Sequence, residues 1–285
     1  MTATMHGPAV VRRRLGAALK RLRGELGLRL DVVARRLEIS PSKLSRLETG
    51  QVAPKIRDVR DLLEIYEAPR EMRERIMRWA GEAKEPGWWQ PYSESLVNDL
   101  DMYISLEVEA RRVLMFSVPI SGLLQTEDYA RMVLTGAVRG GTASDIDRLV
   151  EIRIRRQGVL DPSRDDAPPM ELHVVLDESA LHRSGEPDVL TEQLRQLLVR
   201  AAWPHVTVQV LPFAAGFTAV ISTFAIFEPR DPGDATVVNI EGAGMDAYFD
   251  SAGDVARYRA MWTDVTAAAL DPEASRGYVE RMLSA

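Results

Sequence analysis

Residues 30–50 read LDVVARRLEISPSKLSRLETG, and the fold of the N-terminal part turns on them. Val33, Ala34 and Leu37 give the apolar side of one short helix, and Leu44 and Leu47 that of a second. Ile39 anchors the turn between the two. Ser40 is placed to cap the second helix, and Pro41 follows at its first position, where a missing N–H costs nothing. Gly50 stops it. The second helix, over about 41–49, turns Ser42, Lys43, Ser45 and Arg46 outward. Short hydroxyls beside long cations suit a helix that enters a major groove and reaches base edges and phosphates. The competing reading is a solvated amphipathic helix pair inside an all-helical domain. Turn, cap, small residue and five apolar anchors fall in register together, which favours the first.

These residue types and spacings resemble the helix-turn-helix of the Xre family, the Cro and lambda-repressor-like regulators. Ala34 matches the position where the two helices approach most closely, and SPSKLSRLETG carries most of the likeness. The resemblance implies an all-α, five-helix DNA-binding domain over residues 1–85. Its candidate contacts are Ser40, Ser42, Lys43, Ser45 and Arg46. Lys55 and Arg57 follow in the next loop and helix start, which in such domains lie along the DNA backbone. The sequence departs from the pattern twice. Glu38 stands where Gly is frequent, a mild strain if that residue needs φ > 0. Leu30 replaces a frequent Gln, with Arg29 in place of a Ser or Thr cap.

Charge supports the same division. The 285 residues carry a net charge of −6, yet residues 1–85 hold 19 Lys and Arg against 12 Asp and Glu, a net of +7. The remainder holds 17 against 30, a net of −13. A basic N-terminal part on an acidic body suits phosphate binding at one end. The absence of cysteine excludes disulfides, thiolate zinc sites and a cysteine nucleophile, and fits a reducing cytoplasm. MTATMHGPAVVRRR lacks the apolar run of a secretory signal. His205 to Phe227 is free of Asp, Glu, Lys and Arg and long enough to span a bilayer. Pro212, Gly216 and the alternation Val206, Val208, Val210 instead predict two buried strands and a loop, so no membrane partner is expected.

Residues 12–27 predict an amphipathic helix with Leu15, Ala18 or Leu19, Leu22 and Leu26 on one side and Gly27 at its end. Its basic face, Arg12 to Arg14 with Lys20, Arg21 and Arg23, is either solvated or touches phosphates. Pro54 opens a helix with Ile56, Val59, Leu62, Leu63 and Tyr66, and a fifth helix covers 70–84. EPGWWQPYS at 85–93 breaks the chain, giving a Pro/Trp linker over 86–93 whose tryptophans are expected to dock between the domains or into the second one. Residues 94–285 then form the second domain. Helices are predicted at about 94–110, 127–137, 144–159, 178–183, 187–202, 253–269 and 273–284. Strands are predicted at about 110–118, 170–176, 205–211, 222–228 and 235–241. The strands at 205–211 and 222–228 are expected to pair antiparallel around the Pro212–Thr218 loop. Without strict βαβ alternation, the domain reads as α+β with a mixed sheet.

Several motifs of this second part resemble the long C-terminal domain, of unknown function, that follows such helix-turn-helix domains in actinobacterial regulators. They are KEPGWW (Lys84 to Trp89), SVPISGLLQTEDYA (Ser117 to Ala130), RIRRQGVL (Arg153 to Leu160), LDESALHR (Leu176 to Arg183), VTVQVLPFAAG (Val206 to Gly216), FAIFE (Phe224 to Glu228) and AAALDPEASR before the last helix. Ile120, Ser121 and Gly122 depart from the usual Pro-Gly before LLQT. The resemblance implies a regulator, often encoded beside a small partner protein in an antitoxin-like pairing. It implies no chemistry.

The chemical signal in the second part is slight. His6, His173, His182 and His205 show no ligand spacing, so no metal and no cofactor is expected. Asp177 and Glu178 end an apolar strand. They suit acid–base work, or, with fewer assumptions, the N-terminus of a helix. A buried contact of Arg156 or its neighbours with these carboxylates is expected to be structural. In LLQTEDYA, Gln125 and Thr126 read as a helix start and Tyr129 as core. A ligand or partner groove there, with Gln125, Tyr129, Arg156, Asp177 and Glu178, is the rival reading. The sequence therefore points to a cytoplasmic, non-enzymatic, sequence-specific transcriptional regulator that binds double-stranded DNA as a homodimer on an inverted repeat. The alternative is an antitoxin-like module that sequesters a small neighbour-encoded protein and autoregulates through DNA. An enzyme using Asp177, Glu178 or Glu241 has only loose carboxylates in its favour.

Overall fold

The computed structural model describes residues 7–89, 100–138, 141–164, 167–183, 186–216, 222–242 and 246–284. Parts of the expected linker at 86–93 and of the helix at 94–110 therefore lie outside the described residues. So do His6, Gly140, Gly244, Asp165, Asp166 and the end of the Pro212–Thr218 loop. The chain divides into two compact units.

The first unit is helical. Its elements are α1 (Pro8–Glu25), α2 (Leu30–Arg36), α3 (Pro41–Glu48), α4 (Ile56–Ile65) and α5 (Arg70–Glu82). Leu15, Leu19, Leu22, Val33, Ala34, Leu44, Leu47, Val59, Leu62, Leu63 and Ile76 form one buried core. α2, α3 and α4, of 7, 8 and 10 residues, are too short to stand alone in water, so the shared apolar side holds them. Their ends follow one rule. Gln51 N–H returns to the Arg46 carbonyl across Gly50, and Ile39 N–H returns to the Ala34 carbonyl across Glu38. Each is a Schellman stop whose central residue must be left-handed. Gly50 meets this at φ 71° without strain, whereas Glu38 sits at φ 54° and Glu67, after α4, at φ 48°. A side chain at Gly50 would also place its Cβ 2.7 Å from the Arg13 Cα.

The helix expected within 94–110 needs a correction. As α6 (Leu100–Glu109), its residues Asp101–Glu109 pack with the first unit rather than the second. The reason is the start of α1, whose N-cap Gly7 has no side chain to cap with. The orphan N–H groups of a helix start need acceptors. Glu109 accepts from Gly7 N–H at 2.9 Å and Ser105 from Ala9 N–H at 3.3 Å. Asp101 binds Arg12 at 2.7 Å and the Trp89 indole N–H at 2.6 Å. Trp89 is thus buried within the first unit, against Asp101 of the segment that the sequence assigns to the second domain.

The second unit carries a mixed sheet of six strands among the described residues, ordered β3-β2-β1-β4-β5-β6. The strands are β1 (Ala110–Ser117), β2 (Glu171–Asp177), β3 (Val206–Leu211), β4 (Phe224–Pro229), β5 (Val237–Ile240) and β6 (Ala247–Phe249). β1, β2 and β3 run parallel, and β4, β5 and β6 continue antiparallel from β1. Parallel neighbours need long crossovers. Here α7 (Glu127–Ala137) and α8 (Ala143–Arg156) join β1 to β2, and α9 (Pro187–Ala201) joins β2 to β3. Leu114, Phe116, Val175, Phe224, Ile226 and Val238 point to one face and bury Trp262 and Val265 of α10 (Ala252–Ala268). Val113, Met115, Val174, Val208, Ala225 and Phe227 are buried on the other face.

The expected antiparallel pairing of 205–211 with 222–228 does not occur, because β2 and β1 stand between β3 and β4. The outer edge of β3 is closed instead by the start of α11 (Pro272–Ser284). Val210 accepts from Leu270 N–H and donates to Ser275 Oγ, each at 2.9 Å. The backbone groups of Val210 are thereby withdrawn from pairing with another strand. The expected helix over 178–183 is a single 3-10 turn, Glu178–Leu181, and β6 had no counterpart among the expected strands.

If the left-handed Glu38 stores strain, Glu38→Gly will raise the stability of the first unit by about 1 kcal/mol, net of the added chain entropy of glycine. Urea unfolding followed by circular dichroism measures this, and an unchanged or lowered midpoint would show the turn to be unstrained.

Candidate nucleic-acid interface

The helix pair is built from the inside. Ser40 Oγ accepts the Lys43 N–H at 3.1 Å and starts α3, with Pro41 at its first position. Leu44, Leu47 and Glu48 turn inward and are buried, while Ser42 and Arg46 remain exposed and Lys43 and Ser45 half-buried. α1 lies close behind this helix. A Cβ on Gly16 would fall 2.6 Å from the carbonyl oxygens of Leu47 and Glu48, so only glycine permits the approach.

Glu48 is a charged residue on the buried side, which the sequence reading passed over. Arg23 of α1 grips it through two hydrogen bonds of 2.7 and 2.8 Å and also donates to the Leu28 carbonyl at 2.8 Å. The hydrogen bond to Glu48 raises the Arg23 pKa against the opposing effect of burial. Arg23 therefore serves the core, although the sequence alone had placed it on a basic face. Arg12 is likewise engaged by Asp101. Tyr66 lies near the pair, its hydroxyl buried without a hydrogen-bond partner among the described residues. Burial first, and then the Glu48 charge, pushes its pKa up.

The outward cations differ in state. Arg46 makes no side-chain hydrogen bond or ion pair among the described residues, and neither does Lys55, which is exposed at the start of α4. Arg57 is 88% exposed, with Asp61 at 3.7 Å, a weak surface pair. Lys43 is held by Asp58 of α4 at 2.5 Å. Ser40, Ser42, Lys43, Ser45 and Arg46 thus lie on or beside one helix, with Lys55 and Arg57 at the start of the next.

The candidates in the second unit lie elsewhere. Gln125 and Tyr129 are each 2% exposed. Gln125 donates to the Ile120 carbonyl at 2.7 Å and accepts from Arg153 at 2.9 Å, while its own carbonyl accepts from Gln157 at 2.7 Å. Thr126 alone caps α7, accepting from Tyr129 N–H. Gln193 closes the turn from α9, donating to the Leu124 carbonyl and accepting from Thr126 N–H. Arg156 is buried at the end of α8.

Asp177 caps the short turn that follows β2, accepting from Ser179 N–H at 2.9 Å and from the Ser179 hydroxyl. Glu178 accepts from Phe213 N–H at 2.6 Å and the Tyr278 hydroxyl at 2.7 Å, with His182 at 3.5 Å. Burial raises the Glu178 pKa, but these hydrogen bonds outweigh it and hold the carboxyl below its usual range. The carboxylates therefore bind Ser179, Phe213, Tyr278 and His182, not the expected arginines of α8.

Among the described residues, no group of three or more His, Asp or Glu stands together to hold a metal ion, and no helix is long and apolar enough to cross a membrane.

A family model described as a domain of unknown function, DUF5753, matches residues 100–281. The chain belongs to this family. A helix-turn-helix domain model matches residues 14–76, which contain α2, its turn and α3. The N-terminal unit is thus a helix-turn-helix domain, the mark of a DNA-binding regulator. No curated protein and no solved structure matches the chain.

In the family domain Glu228, which none of the candidate sites had included, gathers three arginines. Arg112 at 2.8 Å, Arg111 at 3.1 Å and Arg259 of α10 at 2.7 Å surround it. Burial pushes its pKa up, and the hydrogen bonds from Arg112 and Arg259 bring it below the usual carboxylate value. Only its place in FAIFE marked it in the sequence.

Two measurements follow from these pairs. Glu48→Ala will cost about 3 kcal/mol, since it strands Arg23 beside the core. Tyr66→Phe will leave stability unchanged or raise it, because it removes an unpaired buried hydroxyl. Thermal unfolding compares the two, and a large loss from Tyr66→Phe would overturn the account. For Glu228, a folded pKa below the unfolded value of about 4.3 means stabilisation that is full above that value and is lost as pH falls through the lower folded value. Glu228→Gln will therefore lower stability at pH 7 and flatten its fall on acidification; parallel acid limbs for the two proteins would exclude this.

Proposed function

We propose that the protein is a sequence-specific transcriptional regulator of the Xre type, with α3 as its recognition helix in the major groove. One observation carries the reading. α3 is fixed from behind by Leu44, Leu47 and the Arg23–Glu48 pair, while Ser42 and Arg46 stay exposed on its other side. A short helix held rigidly on one side and polar on the other is what base readout needs. Arg46 is the base-reading cation, with its guanidinium free to make the bidentate contact that favours guanine. Ser42 and Ser45 add short contacts, and Lys55 and Arg57 grip the phosphates from the start of α4. The net of +7 on residues 1–85 supports the same reading. A homodimer would read an inverted repeat, with half-sites on one face of the duplex. The DUF5753 domain then supplies dimerisation and response rather than chemistry.

The test is selection of bound duplexes from a random pool, followed by Arg46→Ala. The expected outcome is a recovered inverted repeat and a loss of about 1–3 kcal/mol on that site, with a much smaller loss on random DNA. Failure of the parent protein to enrich any sequence would refute the reading. Equal losses on both duplexes would reduce Arg46 to a phosphate anchor.

A further inference from the structure

Lys43 and Arg46 are the two cations of α3, and they are not in equivalent states. Arg46 is exposed, with no side-chain partner among the described residues. Lys43 Nζ lies 2.5 Å from Asp58 Oδ2, with the lysine side chain 39% and the aspartate 17% exposed. Asp58 stands in the first turn of α4. A helix start draws phosphate through its free N–H groups and dipole. A carboxylate in that turn opposes this attraction and offsets the charge of the neighbouring lysine. It also limits the rotation of a four-carbon stem that would otherwise sweep across phosphates. An ammonium has three donors, and Asp58 occupies one of them.

We propose that Asp58 is a specificity-setting positioning residue of the DNA interface. It clamps Lys43 away from the phosphates and aims its remaining donors at the groove, so that affinity for every duplex falls while contacts to the right bases persist. The proposal rests on the DNA-binding reading above. It adds that a residue without a base contact of its own decides how far the protein prefers one sequence to the rest. The competing account gives Asp58 only a stabilising role at the α4 N-terminus.

The test uses the full chain, the duplex that the parent selects from a random pool, and a scrambled duplex of the same composition. Asp58→Asn keeps the shape and removes the charge. Its expected effect is tighter binding to scrambled DNA, with a salt dependence steeper by about one phosphate (slope change ~0.9) and a ratio of selected to scrambled affinity lower by roughly tenfold. In a Lys43→Ala background the same substitution should change the ratio little. Lys43→Ala alone should weaken the selected duplex more than the scrambled one, a check that holds even if Asp58→Asn folds poorly. The proposal is overturned if Asp58→Asn leaves ratio and slope unchanged, if its effect is equal with and without Lys43, or if Lys43→Ala weakens both duplexes alike. Failure of the DNA-binding reading would look different, since the parent protein would then select no sequence at all.

Discussion

The Arg23–Glu48 pair is the interaction on which the N-terminal unit depends. An eight-residue helix such as α3 has no stability of its own, and its outward side must stay polar. Its position is therefore set from one side only. Leu44 and Leu47 supply apolar contact, and Glu48 supplies direction, because a two-pronged guanidinium bond fixes orientation as well as distance. Gly16 lets α1 approach close enough for the pair to form. An apolar residue at position 48 would pack there, but it would allow α3 to slide or rotate against α1. The Ser40 cap and the Schellman stop at Gly50 fix the two ends of the same helix, and the stop at Glu38 ends the helix before it.

The second unit shows the same economy with different groups. Its conspicuous polar motifs close loops. Gln125, Gln157 and Gln193 satisfy the backbone of the LLQT turn, where water has little access. A buried backbone group left unpaired costs as much as a lost hydrogen bond, so a polar side chain beside a buried turn is a structural need. Asp177 and Glu178 belong to the same class. Asp177 caps a turn, and Glu178 ties the end of β2 to the loop after β3 and to α11. Glu228 binds β1 and α10 to β4 by gathering three arginines. Asp177 and Glu178, which first suggested chemistry, each have a structural role.

The charge pattern has a matching logic. The basic excess of residues 1–85 is not spent evenly on the surface. Arg12 and Arg23 are absorbed by Asp101 and Glu48, and Lys43 is restrained by Asp58. Arg46 and Lys55 are left as outward cations at α3 and the start of α4.

The sequence by itself determined whatever is decided within a few residues along the chain. The Ser40 and Thr126 caps, the left-handed turn at Glu38, the stop at Gly50 and most helix and strand positions are local, set by caps, φ preferences and apolar period. Tertiary structure alone decided which distant groups meet. It placed β4 beside β1 rather than β3, because the segment before α11 closes the β3 edge. It brought Asp101–Glu109 to α1, because α1 lacks a cap of its own. It paired Arg23 with Glu48 and Lys43 with Asp58 across separations of 25 and 15 residues. Such pairings depend on where whole elements pack, and side chains of one charge look alike in a sequence until the packing assigns each a partner.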